Sequence, residues 1–139
     1  MLPSGIHWAS LAEVETRFAI NSHRLKLMAG FKRGIAALTA AGCQTLYLDG
    51  SFVTEKELPS DYDACWDIMG VDSRKLDPVF LDFSNKRAAQ KAKYLGEFFP
   101  SHLYANATPP FRAFVDFFQI DKQTGDPKGI IGLVLKGQL

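Results

Sequence analysis

A long apolar run is missing from this 139-residue sequence. A helix that spans a membrane needs ~20 consecutive apolar residues, and no stretch of the sequence approaches that length. The opening residues, Met1 to Gly5, also lack the basic and then apolar order of a secretory signal. We therefore expect a cytoplasmic protein that makes no contact with a membrane.

Cysteine and histidine are scarce as well. The two cysteines, Cys43 and Cys65, form no Cys-x-x-Cys pair, and the three histidines match no zinc-ligand spacing. Each cysteine lies in or beside an apolar stretch, so we predict two buried thiols in a reducing compartment. These observations exclude a disulfide scaffold and argue against a structural zinc site.

An excess of one charge is absent too. Sixteen Lys and Arg residues face fifteen Asp and Glu residues, for a net charge of +1. This balance argues against binding to nucleic acid through overall positive charge, although a local basic patch survives the averaging. Hydrophobic residues make up 47% of the chain, which is typical of a globular protein, and the length predicts one domain over residues 1–139.

The first third of the chain has the pattern of helices. A capping box formed by Ser10 and Glu13 precedes the pattern, and Gly42 follows it. The spacing predicts one helix, or two helices that meet near Asn21-Ser22, with a basic polar face that includes Arg24. Apolar residues at intervals of three, four and seven form the stripe: Leu11, Val14, Phe18, Leu25, Met28, Ile35 and Leu38.

Two further helical segments are expected in the middle of the chain. Asp77-Pro78 has the form of a helix start, and Ser84 can cap a helix that runs to Gly96. Lys86, Arg87, Lys91 and Lys93 make this second helix basic. In the connection at residues 52–60, Thr54 and Glu57 can cap a single helical turn.

Four segments have the pattern of strands. Thr45 to Leu48 is a short apolar run, and residues 61–68 alternate between an acidic and an apolar side. Phe111 to Ile120 is apolar on both faces and predicts a central strand, which would form a long C-terminal hairpin with Gly129 to Leu135. We predict an α+β fold with a mixed or antiparallel sheet of about four strands, on which the helices pack.

Acidic residues follow a glycine-serine corner at a defined spacing. Gly50-Ser51 comes directly after the first predicted strand, where main-chain N–H groups can approach phosphate oxygens closely. Asp61 and Asp63 lie two residues apart on the next predicted strand, so their side chains point the same way and can share divalent ions. These are the parts of a site for phosphate and metal.

The motif resembles the signature of the nucleotidyltransferase superfamily related to DNA polymerase beta. Gly50-Ser51, nine intervening residues and then Asp61-x-Asp63 match its order and spacing. Further segments of the sequence, including Lys128-Gly129-Ile130, are similar to a small uncharacterised branch of that superfamily. The resemblance implies a nucleotidyltransferase-like fold and transfer of a nucleoside monophosphate from a nucleoside triphosphate, such as ATP, to a hydroxyl.

The resemblance also implies two magnesium ions held by three carboxylates. These map onto Asp61, Asp63 and a third acid, for which we take Asp116. Asp116 lies between apolar residues in its predicted strand, and an isolated buried carboxylate costs several kcal/mol unless it is paired, protonated or bound to metal. Asp82, between Leu81 and Phe83, is the competing third ligand.

The nucleotide contacts are expected around the same corner. Gly50 and Ser51 would hold the outer phosphates, and Thr54 is a further candidate from the same loop. Lys56 or Lys128 could neutralise the phosphate charge. The loop departs from the superfamily pattern, because it has no second Gly and no Arg shortly after Gly50-Ser51.

The acceptor is left open between RNA and a protein hydroxyl. Resemblance to small superfamily members in toxin–antitoxin and phage-defence gene pairs implies a partner protein. The main alternative is a catalytically inactive module of the same fold that neutralises or scaffolds its partner, with a homodimer formed through an edge strand of the C-terminal hairpin. A third interpretation is an RNA-binding protein that uses the two basic helices.

Overall fold

An open sheet of five strands organises the chain. The computed structural model describes residues 2–54 and 56–136, without the side chain of Ser51. In spatial order the strands are β1, β5, β2, β3 and β4. Their bounds are β1 Gly5–Trp8, β2 Thr45–Asp49, β3 Asp63–Trp66, β4 Glu97–Pro100 and β5 Gly129–Val134.

The sheet is mixed. Strand β2 runs antiparallel to both of its neighbours, β3 and β5, whereas the outer pairs β1–β5 and β3–β4 are parallel. The predicted α+β class and mixed sheet are confirmed, with five strands instead of about four.

Three helices cover one face of the sheet. They are α1 Leu11–Phe18, α2 Ser22–Ala40 and α3 Ser84–Tyr94, and their apolar residues join one core with those of β2 to β5. The predicted capping box is present, and Asn21 caps α2 by accepting from the backbone of Arg24. The predicted N-terminal helical pattern is confirmed, and of the two alternatives left open the structure has two helices that meet near Asn21-Ser22. No helix in the described ranges is long and apolar enough to cross a membrane.

Arg24 is buried rather than solvated, which corrects the expectation from the basic face of α2. Its guanidinium donates to the carbonyl oxygens of Phe18, Phe52, Thr54 and Lys56. Four carbonyls held by one cation fix the loop that follows β2 against α1 and α2. This loop forms one wall of the site described below.

The central strand predicted over Phe111 to Ile120 is wrong. The segment contains a single helical turn, α4 Phe114–Phe117, and its apolar side chains pack on the face of the sheet opposite α1, α2 and α3. The spacing of the apolar residues and the length of the segment cannot distinguish such a covering segment from a buried strand. The predicted C-terminal hairpin is therefore wrong as well, because the partners of β5 are β1 and β2.

Three local features also differ from the prediction. The sequence patterns missed β1 and β4, which are only four residues long and lie at the two edges of the sheet. A 3-10 turn at Ser51–Val53 takes the place of the helical turn expected after Thr54. A second 3-10 turn, Pro78–Leu81, begins at the predicted Asp77-Pro78 start. The two cysteines are buried and free, as predicted.

Candidate active site

Three acidic residues form a row across the sheet. Asp49 ends β2, Asp63 begins β3 and Glu97 begins β4. Asp49 is the register partner of Asp63, and Asp63 is the register partner of Glu97. Because paired residues of adjacent strands project from the same face, the three carboxyl groups lie side by side.

Asp63, in the middle of the row, is the most perturbed acid. Burial raises its pKa first, and a hydrogen bond with Glu97 and the charges of Glu97, Asp61 and Asp49 raise it further, to about 8. A carboxyl group in these surroundings keeps its proton at neutral pH unless a cation comes close. Perturbation of this kind is typical of functional sites.

Glu97 is held in the charged form. Burial opposes its ionisation, but hydrogen bonds from Asp63, Lys91 and Arg87 outweigh burial and lower its pKa. Its Oε1 lies 3.1 Å from the Nε of Arg87 and 3.1 Å from the Nζ of Lys91. We therefore assign the proton of the Asp63–Glu97 pair to Asp63 and the negative charge to Glu97.

Asp61 lies just before β3 and beside the same pair. Burial raises its pKa, and the charge of Glu97 raises it further, while Lys91, Arg87 and Lys122 act in the opposite direction. Four acids, Asp49, Asp61, Asp63 and Glu97, thus share one end of the sheet with four cations, Lys122, Lys128, Arg87 and Lys91.

Asp49 forms a buried ion pair. The Nζ of Lys128, which directly precedes β5, lies 3.1 and 3.0 Å from its two carboxylate oxygens. Only 4% of Asp49 is exposed, and burial raises its pKa despite the opposing charge of Lys128. The pair fixes the start of β5 against the end of β2.

The corner after β2 requires glycine. Gly50 has a φ of 89°, and a Cβ at this position would lie 3.0 Å from the Oδ2 of Asp63 and 3.1 Å from its backbone nitrogen. Any side chain here would therefore be strained and would press on Asp63. The predicted approach of phosphate oxygens to this corner stays a prediction.

A cavity of about 440 Å³ opens between this corner and the loop before β5. Asp49, Asp63 and Lys128 line it, together with Gly50, Thr54 and Lys122. Its volume is within the usual range for small-molecule sites. Its wall combines acids of the row with two lysines, which suits a ligand that carries both phosphates and metal ions.

The structure brings some of the predicted nucleotide contacts together and separates others. Gly50, Thr54 and Lys128 line the cavity. Lys56 is not among the lining residues, and its carbonyl oxygen accepts from Arg24 instead. The side chain of Ser51 lies outside the described part of the chain, so its predicted role stays a prediction.

The predicted surroundings of Asp116 are wrong. Asp116 lies on α4 and is exposed, so the buried strand position that supported its assignment does not exist. Asp82 accepts hydrogen bonds from the backbone and hydroxyl of Ser84, away from the row. Two acids stand in register with Asp63, Asp49 on β2 and Glu97 on β4.

Sequence reasoning missed Asp49, Glu97 and Lys122. A signal for Glu97 was present, because an acid directly before Phe98 and Phe99 repeats the pattern of Asp63 before its apolar strand. Gly96 and Pro100 on either side concealed it, since both are typical of loops. Asp49 was visible as the last residue of the first strand, but only the register with β3 shows that it faces Asp63.

The acids fit magnesium by their chemistry. Carboxylate oxygens are the ligands that this ion prefers, and Asp63 ionises at neutral pH only with added positive charge nearby. In the described ranges, no group of three or more His, Cys, Asp or Glu side chains is already arranged to hold an ion.

Comparison with known proteins identifies a family whose function is unknown. A family model described as a family of unknown function, DUF6932, matches residues 1–134. Searches of curated proteins and of solved structures find no match.

Proposed function

The chain belongs to DUF6932, a family of unknown function, and we propose that it is a magnesium-dependent nucleotidyltransferase with a nucleotidyltransferase-like fold. The observation that carries the proposal is the row Asp49–Asp63–Glu97, of which Asp49 and Asp63 line a cavity with two lysines and a bare glycine corner. The sequence resemblance around Gly50-Ser51 and Asp61-x-Asp63 points to the same chemistry.

The reaction transfers a nucleoside monophosphate. The acceptor oxygen forms a bond to the α-phosphorus of a nucleoside triphosphate, and the bond from that phosphorus to the bridging oxygen breaks. Pyrophosphate leaves with the electron pair of that bond. The hydroxyl proton passes to a carboxylate, for which Glu97 is suited because Arg87 and Lys91 keep it ionised.

Each group at the site has a role in this reaction. Asp61, Asp63 and Glu97 would hold the two magnesium ions. When bound, these ions stabilise negative charge on the attacking and leaving oxygens. Lys122 and Lys128 neutralise the outer phosphates from the cavity wall. The backbone at Gly50 approaches the phosphates without a Cβ between them.

A transfer assay tests the proposal. The purified chain is incubated with each α-labelled nucleoside triphosphate, magnesium and a cell extract, and labelled macromolecules are separated by size and by nuclease or protease digestion. We expect label that depends on both the chain and magnesium. If no triphosphate labels anything beyond a reaction without the chain, the proposal fails.

The same assay distinguishes the two candidates for the third acid. Glu97→Gln removes the charge next to Asp63 and is expected to lower the rate about 100-fold. Asp116→Asn changes an exposed side chain and is expected to alter the rate less than about threefold. A larger loss of rate in Asp116→Asn than in Glu97→Gln would identify Asp116 as the third acid.

The second candidate function is an inactive binding module. It is favoured by the ion pairs of Asp49 with Lys128 and of Glu97 with Arg87 and Lys91, which satisfy the acids without a metal. Such a module would keep its biological effect when Asp61 and Asp63 are both replaced by alanine. A transferase would lose it.

A further inference from the structure

A second cavity continues the first one past the loop that follows β2. It measures about 270 Å³, and three of its lining residues, Leu2, Val53 and Thr54, also line the cavity beside the acid row. The end of α1 supplies a further wall with Arg17, and the start of α2 contributes Arg24. We call this second cavity the α1 pocket. Because the two cavities share one wall, a ligand that fills the first can extend into the α1 pocket.

The free charge of the α1 pocket comes from Arg17. None of the described residues that line the pocket is acidic. Arg24 is buried and donates to backbone carbonyl oxygens, so its hydrogen bonds are directed into the loop. Arg17 is exposed and forms no ion pair in the part of the chain that the structure describes, and its guanidinium lies 5.2 Å from the centre of the Phe18 ring. Glu13, one turn earlier on α1, accepts from the backbone nitrogen of Ser10.

The order of groups along the two cavities fits a chain of phosphates. In the proposed reaction the α-phosphorus lies at the acids, and Gly50 is beside Asp63, since a Cβ there would lie 3.0 Å from the Oδ2 of Asp63. Thr54 lies farther along the same loop and lines both cavities, and Arg17 lines the α1 pocket beyond it. Phosphates that begin at the acids and pass Gly50 therefore lead towards Arg17.

The first cavity leaves a need for this additional cation. Lys128 contacts both carboxylate oxygens of Asp49, so much of its charge is already balanced. Lys122 is the other lysine in the wall. Each phosphate of a nucleotide adds negative charge, and a guanidinium can donate two parallel hydrogen bonds to the oxygens of one phosphate.

We propose that Arg17 binds the terminal phosphate of the nucleoside triphosphate and makes the site select a triphosphate over a diphosphate. This inference rests on the proposed transferase function and adds to it the residue that distinguishes the length of the phosphate chain. A diphosphate bound at the same acids ends one phosphate earlier, near Gly50, and gains no contact with Arg17. The selectivity therefore depends on Arg17.

Removal of the Arg17 charge tests the proposal without changing the acids. Binding of the non-hydrolysable analogues α,β-methylene-ATP and α,β-methylene-ADP is measured by calorimetry in the presence of magnesium. We expect Arg17→Gln to weaken binding of the triphosphate about tenfold and binding of the diphosphate less than about twofold. Arg17→Lys keeps the charge and should recover part of the loss. The control is Arg112→Gln, at an exposed arginine that lines neither cavity, and it should change both affinities less than about twofold.

Three results would overturn the inference. They are absence of triphosphate binding by the unaltered chain, unchanged triphosphate affinity in Arg17→Gln, and equal losses of affinity for the triphosphate and the diphosphate. The binding experiment needs no transfer, so its outcome is separate from that of the proposed reaction. If Arg17→Gln loses the selectivity but the unaltered chain transfers no label, the reaction is refuted and the role of Arg17 in binding is supported. If label is transferred and the selectivity does not depend on Arg17, only the present inference fails.

Discussion

Replacing Asp63 with asparagine is expected to abolish transfer, with a loss of about 10³-fold or more, while the chain stays folded. Asparagine has nearly the shape of the protonated acid, and Asp63 is protonated at neutral pH because burial and its acidic neighbours raise its pKa to about 8. The variant removes the charge that a metal would use without leaving a cavity. Activity and stability should therefore separate.

The pH dependence of stability gives the same variant a second readout. An unfolded Asp ionises near pH 4, whereas folded Asp63 keeps its proton up to about pH 8. Between these values the folded chain binds one proton more than the unfolded chain, so the contribution of Asp63 to stability falls as pH rises. The free energy of unfolding of the unaltered chain should fall relative to Asp63→Asn, by up to about 1.4 kcal/mol per pH unit.

Urea unfolding of both proteins from pH 4 to pH 8, in the absence of divalent ions, measures this difference. Asp126→Asn is the matched control, because Asp126 is exposed in the loop before β5. A plot of its free energy of unfolding against pH should run parallel to that of the unaltered chain. A parallel curve for Asp63→Asn would contradict the assignment of the proton to Asp63, and an active Asp63→Asn variant would contradict its role in transfer.

Replacing Lys128 with methionine is expected to have the largest effect on stability, a loss of about 3–5 kcal/mol. Asp49 is almost completely buried, and Lys128 contacts both of its oxygens. Methionine preserves the stem of the side chain and removes the cation, so a buried carboxylate is left unpaired. Breaking a buried pair from one side is more destabilising than removing both charges.

The double variant Asp49→Asn, Lys128→Met shows whether the pair is the cause. It should recover most of the stability that Lys128→Met loses, because neither charge is left alone. It should still bind triphosphate weakly, since Lys128 lines the cavity. If the free energy of unfolding of Lys128→Met lies within about 0.5 kcal/mol of that of the unaltered chain, the ion pair does not stabilise the fold.

Local signals in the sequence were sufficient for the N-terminal helices and for β2. Ser10, Glu13 and the apolar stripe act within a few residues of one another, and the structure keeps them as helix and cap. Strand β4 was not predictable in this way, because its four residues gain their hydrogen bonds from β3, which lies more than thirty positions earlier in the chain.

The choice of the third acid was also beyond what local sequence signals can predict. Asp116 was predicted to be a buried acid because its neighbours are apolar. In the structure α4 packs those neighbours on the sheet and leaves Asp116 exposed. Glu97 was inconspicuous beside Gly96, and it acquires its surroundings only when β4 pairs with β3. The charge of a residue can be found in the sequence, whereas its position next to Asp63 depends on strand register.

The most direct test of the account is a crystal structure of the chain grown with manganese and a non-hydrolysable nucleoside triphosphate. We expect anomalous density for the metal among Asp61, Asp63 and Glu97, with the phosphates beside Gly50 and Lys128. Triphosphate at another place, or no metal at these three acids at saturating concentration, would contradict the proposed function.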